Sequence, residues 1–187
     1  MSKENKSRYV VLGMLSLGPM SGYEIKKRIE GSTSNFWSES YGQLYPTLKQ
    51  LVEDGLTISQ TEKQEGKPER YIYTLTEKGW ASLRHWLTEP TEHPVQRIEL
   101  LLKLFFGRQT SASVHIEHVQ KFRALQTQLL EKYIAIEAHL RACEDDPDIP
   151  YALITLNYGQ HECRALLAWC DETIATLHRI AETEQGV

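Results

Sequence analysis

The sequence has no long hydrophobic run, which argues against an integral membrane protein. Hydrophobic residues make up 41% of its 187 residues, yet no apolar stretch approaches the roughly 20 residues that a membrane-spanning helix needs. The first seven residues are polar and lack the apolar core of a secretory signal, so we expect a cytoplasmic protein without membrane contact. A chain of this length can fold as one large or two small domains without crosslinks.

The common signatures of catalysis are also missing. Neither G-x-S-x-G nor H-E-x-x-H occurs in the sequence. The two classes of active site that contain these motifs are therefore excluded. Gly13 and Gly18 have the spacing of a phosphate-binding loop, but Pro19 stands where such a loop needs lysine. The sequence therefore predicts a protein that is not an enzyme and uses no cofactor.

Cysteine is scarce, with three residues at Cys143, Cys163 and Cys170. The last two lie seven residues apart on one apolar helix face, which favours buried core positions over a redox sensor. His115 and His118 share a helix face, but a metal site needs three or four converging ligands. We therefore expect solvated surface histidines and no metal site.

Negative charge is concentrated in the second half of the chain. The net charge is −4, which at first argues against a nucleic-acid partner. Residues 1–90 carry 12 basic and 11 acidic groups, whereas residues 91–187 carry 9 and 14. The first half is therefore near neutral. To bind DNA phosphates it must have its basic groups on one side, and we expect its DNA affinity to depend moderately on salt concentration.

The segment 40–51 has the pattern of a helix that reads DNA. Its leucines recur at helical spacing, so one face belongs to a core. Ser40 and Gln43 fit a capping box that begins the helix, and Pro46 lies inside it, above the carbonyl of Gly42. The other face carries hydrogen-bonding groups without an acidic one, as contact with base edges and phosphates requires. The alternative is an amphipathic core helix with a polar outer face.

The neighbouring segments complete a known supersecondary unit. An apolar run at 9–17 precedes Ser21 and Glu24, a second capping box that begins a helix through about residue 30. Helix, turn, helix, loop and helix is the order of a helix-turn-helix unit. Two strands at 56–62 and 70–75, joined by a polar turn, then predict a wing, and Thr76 caps a further helix at 77–88.

This ordered set of motifs resembles the N-terminal domain of PadR-type transcriptional regulators. The resemblance covers roughly residues 8 to 88, and the chain length is similar to that of the longer PadR subfamily. The motifs are 11–15 (VLGML), 18–25 (GPMSGYEI), 36–37 (FW), 40–48 (SYGQLYPTL), 53–56 (EDGL) and 73–79 (YTLTEKG). The resemblance implies a dimeric regulator, usually a repressor. Some members of the family are activators, and some longer members respond to phenolic acids.

The reading helix, the helix before it and the wing supply the residues expected to contact double-stranded DNA. They are Ser21, Tyr23, Lys26, Ser40, Tyr41, Gln43, Tyr45, Thr47, Lys49, Lys63, Lys67 and Arg70. The alternative function is a winged-helix protein-interaction module without its own operator. The basic wing and the acid-free face of the reading helix favour DNA.

The second half reads as helices only. Residues 97–106 are apolar nearly all round, which predicts burial between other elements. A helix over 112–142 carries a heptad-like seam, suited to a partner subunit or to a self-contained helical hairpin. A second long helix follows over 150–183. We expect the seam to form a homodimer interface that fits an inverted-repeat operator, with the residues Phe122, Leu125, Leu129, Tyr133, Ile136 and Leu140.

The predicted architecture is mainly α. It consists of a winged helix-turn-helix domain of three helices and a two-stranded wing over residues 1–90, and an all-helical dimerisation and effector domain with two long helices over residues 91–187. Aromatic and polar groups in or near the second domain could line a pocket for a small aromatic effector, although interdomain packing is the simpler interpretation. These residues are Trp86, Tyr151, Tyr158, His161 and Trp169.

Overall fold

The computed structural model describes residues 6–33, 36–37, 39–62, 70–91, 97–142 and 146–185. The chain divides into two compact units, residues 1–93 and residues 94–187. The described elements of the first unit are α1 (Ser7–Ser16), β1 (Met20–Ser21), α2 (Gly22–Ser32), α3 (Tyr41–Glu53), β2 (Thr57–Glu62), β3 (Arg70–Leu75) and α4 (Glu77–Thr88). Those of the second unit are α5 (Glu99–Phe105), a short 3₁₀ turn (Gly107–Gln109), α6 (Ala112–Arg141) and α7 (Ile149–Gln185).

The core of the first unit forms around α1. Val11 and Leu12 of this helix are fully buried and pack with the apolar faces of α2 and α3. Tyr9 stacks on Trp86 of α4, with ring centroids 4.6 Å apart. The predicted helix-turn-helix and its supporting helix are thus confirmed, because the apolar periodicity of each helix is satisfied by the others.

The wing is part of a small antiparallel sheet with the strand order β1-β3-β2. The two predicted strands are confirmed and pair from Thr57↔Leu75 to Glu62↔Arg70. The sequence did not predict β1, which has two residues and pairs with β3 at Met20↔Tyr73 and Ser21↔Ile72. A segment this short is too brief for an alternating pattern to be recognised.

The two long helices of the second unit pack against each other as an antiparallel hairpin. Five predicted dimer residues, Phe122, Leu129, Tyr133, Ile136 and Leu140, lie in two clusters with residues of α7. These five side chains thus pack on α7 within the chain, but only Tyr133 is buried there, so a contact of the other four with a second subunit stays a prediction. The sixth, Leu125, is 61% exposed.

The short apolar helix α5 differs most from its expected environment. Leu100 and Leu104 pack toward the α6–α7 cluster, but Leu102, Phe105 and Phe106 are 59%, 82% and 60% exposed. The prediction that this helix is buried on all sides is wrong within a single chain. An apolar helix of seven residues can pack only one stripe against a neighbouring helix, so its other side stays exposed until a further surface covers it.

The cysteines and histidines of the second unit show one confirmed and one wrong prediction. Cys163 and Cys170 are buried free thiols, and burial raises the pKa of each, which confirms their role as core residues. Cys143 lies outside the described residues. The expected exposure of His115 is wrong, since its ring is buried and Nε2 lies 3.0 Å from the Gly107 carbonyl oxygen. Gly107 allows this approach by lacking a side chain.

Two kinds of feature are absent from the described part of the chain. None of its helices combines the length and the apolar character that crossing a membrane requires. No group of three or more histidine, cysteine or acidic side chains among these residues could hold a metal ion.

Candidate nucleic-acid interface

Two capping boxes fix the helices of the helix-turn-helix. The Ser21 hydroxyl accepts the backbone N–H of Glu24, and the Glu24 carboxylate accepts the backbone N–H of Ser21. Ser40 and Gln43 make the same reciprocal pair at the start of α3. Both predicted capping boxes are confirmed, and each satisfies backbone donors that would otherwise be unpaired.

The solvent-facing side of α3 presents polar and aromatic groups. Tyr41 and Tyr45 are 46% and 47% exposed, and the side chain of Lys49 is 80% exposed. Tyr23 of α2 adds a further exposed ring. Gln43 is also exposed, and its cap uses Oε1, which leaves the amide nitrogen as the donor for a ligand. This surface can donate and accept hydrogen bonds, as contact with base edges requires.

A row of stacked side chains holds the tyrosines in place. The Lys26 ammonium lies 5.6 Å from the Tyr41 ring centroid, and the Tyr41 ring stacks on Tyr45 at 6.1 Å. Tyr45 in turn packs against Gly22, where an ideal β-carbon would approach the ring to 2.8 Å. Lys26 is also paired with Glu30 at 2.8 Å. The Lys26 ammonium thus already has Glu30 and the Tyr41 ring as partners, and its contact with DNA stays a prediction.

Two predicted contact residues do not face the solvent. Thr47 is buried, and its hydroxyl donates to the carbonyl of Gln43 at 2.8 Å. Ser21 is buried as well, and its hydroxyl donates to the Glu24 carboxylate at 2.7 Å. The prediction that these two side chains contact DNA is wrong, because helix packing and capping already occupy them. The Ser40 hydroxyl is exposed but occupied in its capping box.

Of the three wing residues predicted to contact DNA, the structure describes Arg70. Lys63 and Lys67 lie outside the described residues. Arg70 donates from Nε to a Glu62 carboxylate oxygen and from Nη1 to Glu24 Oε1 at 3.3 Å. Neither carboxylate was predicted to bind Arg70. The capping box identified Glu24, and the strand register that opposes Glu62 to Arg70 could have identified the other.

Hydrogen bonds and burial shift the pKa of two groups near the base of the wing. The two hydrogen bonds from Ser21, followed by the nearby Arg70 guanidinium, hold the pKa of Glu24 below its ordinary value of 4.5. Burial raises the pKa of the Tyr73 hydroxyl above 10.0. Glu24 is therefore a carboxylate and Tyr73 a neutral phenol at neutral pH.

The candidate effector residues belong to both units. Trp86 stacks on Tyr9 in the first unit, and Trp169 packs edge-on against Phe122 in the second, with centroids 6.2 Å apart. Both indoles are thus used in packing within their own units. Three other candidates, Tyr151, Tyr158 and His161, are exposed residues of α7.

The described part of the second unit also contains a cavity of about 310 Å³ that the sequence did not predict. Its wall combines apolar side chains with one lysine and two imidazoles. The lining residues are Leu102, Lys103, Phe106, Thr110, Val114, His115 and His118.

The fold of the first unit and the exposed face of α3 define a winged helix-turn-helix protein. The chain belongs to the PadR-like family of transcriptional regulators. The model of that family matches residues 11–85, and the model described as virulence activator alpha C-term matches residues 96–178. It is accordingly a transcriptional regulator and not an enzyme, as the sequence predicted.

Several relatives match along nearly the whole chain. The negative transcriptional regulator PadR of Bacillus subtilis is 28% identical over 92% of this chain and 97% of its own length. Its crystal structure with operator DNA has a TM-score of 0.85 and 26% identity, covering 94% of this chain and 99% of the other. The Vibrio cholerae virulence activator AphA has a TM-score of 0.75 and 28% identity, covering 93% and 99%. B. subtilis PadR in complex with p-coumaric acid, at 23% identity and a TM-score of 0.73, shares the fold.

Proposed function

We propose that this protein is a dimeric, cytoplasmic repressor that binds an inverted-repeat DNA operator through α3 and the wing. The observation that carries the proposal is the exposed side of α3, where Tyr41, Gln43, Tyr45 and Lys49 are open to solvent and the acidic residue, Glu53, is paired with Lys49 at 3.7 Å. Hydroxyl, amide and ammonium groups on a helix of this kind can contact base edges and phosphates in the major groove. The name and operator complex of B. subtilis PadR support the same role.

A two-fold dimer would place two reading helices about one DNA turn apart, roughly 34–36 Å. The heptad seam of α6 is used within the chain, so we assign the dimer contact to the exposed side of α5. Leu101, Leu102, Phe105 and Phe106 present a continuous run of apolar groups, each at least 46% exposed. Their burial against a second copy would remove this apolar area from water, which favours association.

The effector is proposed to be a small aromatic acid that lowers operator affinity. B. subtilis PadR has been crystallised with p-coumaric acid, and this chain exposes Tyr151, Tyr158 and His161 along α7. A ligand changes the DNA affinity only if it binds one of the two protein states more tightly than the other. This chain offers aromatic surface and hydrogen-bonding groups for such a ligand.

The test is a gel shift of the protein with its own upstream DNA, titrated with salt. Specific binding should exceed binding to a scrambled fragment by about 10³-fold or more, and the logarithm of the affinity should fall linearly with the logarithm of the salt concentration. Footprinting should show protection of an inverted repeat. Equal affinity for both fragments at every salt concentration would leave the alternative, a winged-helix module that binds another protein.

A further inference from the structure

The guanidinium of Arg70 connects three elements at the base of the wing. Arg70 begins β3, and its register partner is Glu62, the last residue of β2. Its Nε donates to the Glu62 carboxylate, and its Nη1 reaches Oε1 of Glu24 in the first turn of α2. One side chain thus joins both wing strands to the helix that precedes α3.

Arg70 lies two residues beyond the point where β3 pairs with β1. β1 pairs with β3 at Tyr73 and Ile72, and among the described strands β3 has β2 as its neighbour from there to Arg70. A two-stranded ribbon is marginally stable and more strongly twisted than a larger sheet. The ion pair between Arg70 and Glu24 therefore attaches this end of β3 to α2, where β1 no longer pairs with the strand.

The carboxylate that receives Arg70 is itself fixed in position. Oε2 of Glu24 accepts the backbone N–H of Ser21 at 2.8 Å and the Ser21 hydroxyl at 2.7 Å, which leaves Oε1 for Arg70. A capping carboxylate held by two hydrogen bonds has little rotational freedom to lose when it binds a guanidinium. The contact therefore orders Arg70 and not the carboxylate.

We propose that Arg70 is a positioning residue for DNA recognition, which holds the wing against α2 through Glu24 and Glu62 and does not neutralise a DNA phosphate. The role rests on the proposed DNA-binding function. A positioning role and a phosphate contact predict opposite changes in DNA affinity when the charge of Glu62 is removed. Removing the negative charge of Glu62 should strengthen binding to a polyanion if Arg70 is a phosphate ligand, but should weaken it if Glu62 orients the wing.

The experiment compares Arg70→Gln, Glu62→Gln and the double variant in operator binding over a salt series. We expect each single variant to lose about three- to tenfold in affinity, and the double variant to lose no more than either, because the residues act as one unit. The salt slope should stay as in the wild type. Lys49→Gln on α3 is the control for a phosphate contact and should flatten the slope by about 0.9.

A second measurement is independent of DNA. Amide hydrogen exchange of the free protein should become faster at residues 70–72 in both single variants, and should be unchanged in Lys49→Gln. A flattened slope in Arg70→Gln, tighter binding by Glu62→Gln or unchanged exchange would each overturn the positioning role. Wild-type protein that binds no DNA would refute the proposed function alone, since exchange still reports whether Arg70 anchors the wing.

Discussion

The carbonyl oxygen of Leu56 lies directly against Gly79. An ideal β-carbon on Gly79 would meet that oxygen at 2.1 Å and a methyl carbon of Leu75 at 3.0 Å. Thr76, which caps α4, donates its hydroxyl to the carbonyl groups of Gly55 and Leu56 at 2.8 and 3.1 Å. The start of α4 therefore packs on the backbone of the turn between α3 and β2, where neither side can move away.

We expect Gly79→Ala to destabilise the first unit. The added methyl group would have to displace backbone atoms, and overpacking of this kind costs about 1–3 kcal/mol. The matched control is Gly13→Ala in α1, where a β-carbon meets nothing within 4 Å. Alanine there should be neutral or stabilising by about 0.5–1 kcal/mol. Denaturant unfolding of both variants measures the difference, and equal free energies of unfolding would contradict the prediction.

The second prediction concerns direct readout by α3. Tyr41→Phe removes one hydroxyl and keeps the ring stack. Gln43→Glu keeps the capping oxygen and replaces the amide donor with a negative charge, which also lowers the affinity for random DNA. Both variants should keep the melting temperature of the wild type. We expect operator affinity to fall further than affinity for random DNA, by about 1–3 kcal/mol for each hydrogen bond to a base that the substitution removes. Unchanged operator affinity in both variants would show that α3 is not the reading helix.

Much of the first unit could be predicted because its signals are local. A capping box spans four residues, as Ser21 with Glu24 and Ser40 with Gln43 show, and the structure contains both. The sequence did not predict the burial of Thr47, because a threonine at the edge of the apolar face of a helix can be buried or exposed. Its burial depends on how α3 is rotated against the core, which is a tertiary property.

The second unit was less predictable because periodicity identifies an apolar face but not its partner. The stripe through Tyr133 fits a second subunit or a second helix equally well. The structure resolves this at Gly159 of α7, where an ideal β-carbon would lie 2.7 Å from Cε2 of Tyr133. Only a glycine at this crossing lets the two helices approach so closely, and nothing in the spacing of either helix pairs these two residues.

The third prediction is a pH dependence. The pKa of Glu24 is below 4.5 in the folded protein, so its ionisation stabilises the folded state. This contribution is fully present above pH 4.5 and is lost as the pH falls through the folded-state pKa. The free energy of unfolding of wild type should therefore exceed that of Glu24→Gln near neutral pH, and the two should converge in acid. A difference that is constant from neutral to acid pH would contradict the assignment.

The fourth prediction concerns the dimer. Phe105→Asp places a charge on the exposed side of α5, and burying that charge at a subunit interface is strongly unfavourable. We expect folded monomers in sedimentation, with the helical circular dichroism of the wild type. Leu125→Asp, at the exposed member of the seam, should remain dimeric. The opposite result, monomers from Leu125→Asp and dimers from Phe105→Asp, would move the interface to α6.

The substitution Tyr133→Ala separates packing within the chain from association. Tyr133 is 5% exposed and lies in the α6–α7 cluster with Leu156 and Cys163. We expect it to lower the free energy of unfolding by about 3–5 kcal/mol, as for other large aromatic truncations in cores. Unfolding at several protein concentrations tests this, because an effect that came only from a weakened dimer would depend on concentration.

The last prediction is that a small aromatic acid weakens operator binding through the second unit. Coupling between two binding sites is typically about 1–3 kcal/mol, which changes affinity about 5–150-fold. Phenolic acids should be titrated while tryptophan fluorescence and operator binding are followed together, and both curves should saturate at the same ligand concentration.

Two variants locate the proposed effector site. Tyr158→Ala removes an exposed ring of α7, whereas His118→Ala changes the wall of the cavity beside α5. The variant that raises the ligand concentration needed for release identifies the site, because the other surface should be indifferent to the ligand. Saturable quenching without a change in operator affinity would mean that the acid binds but does not switch the protein. No quenching by any phenolic acid would remove this class as the effector.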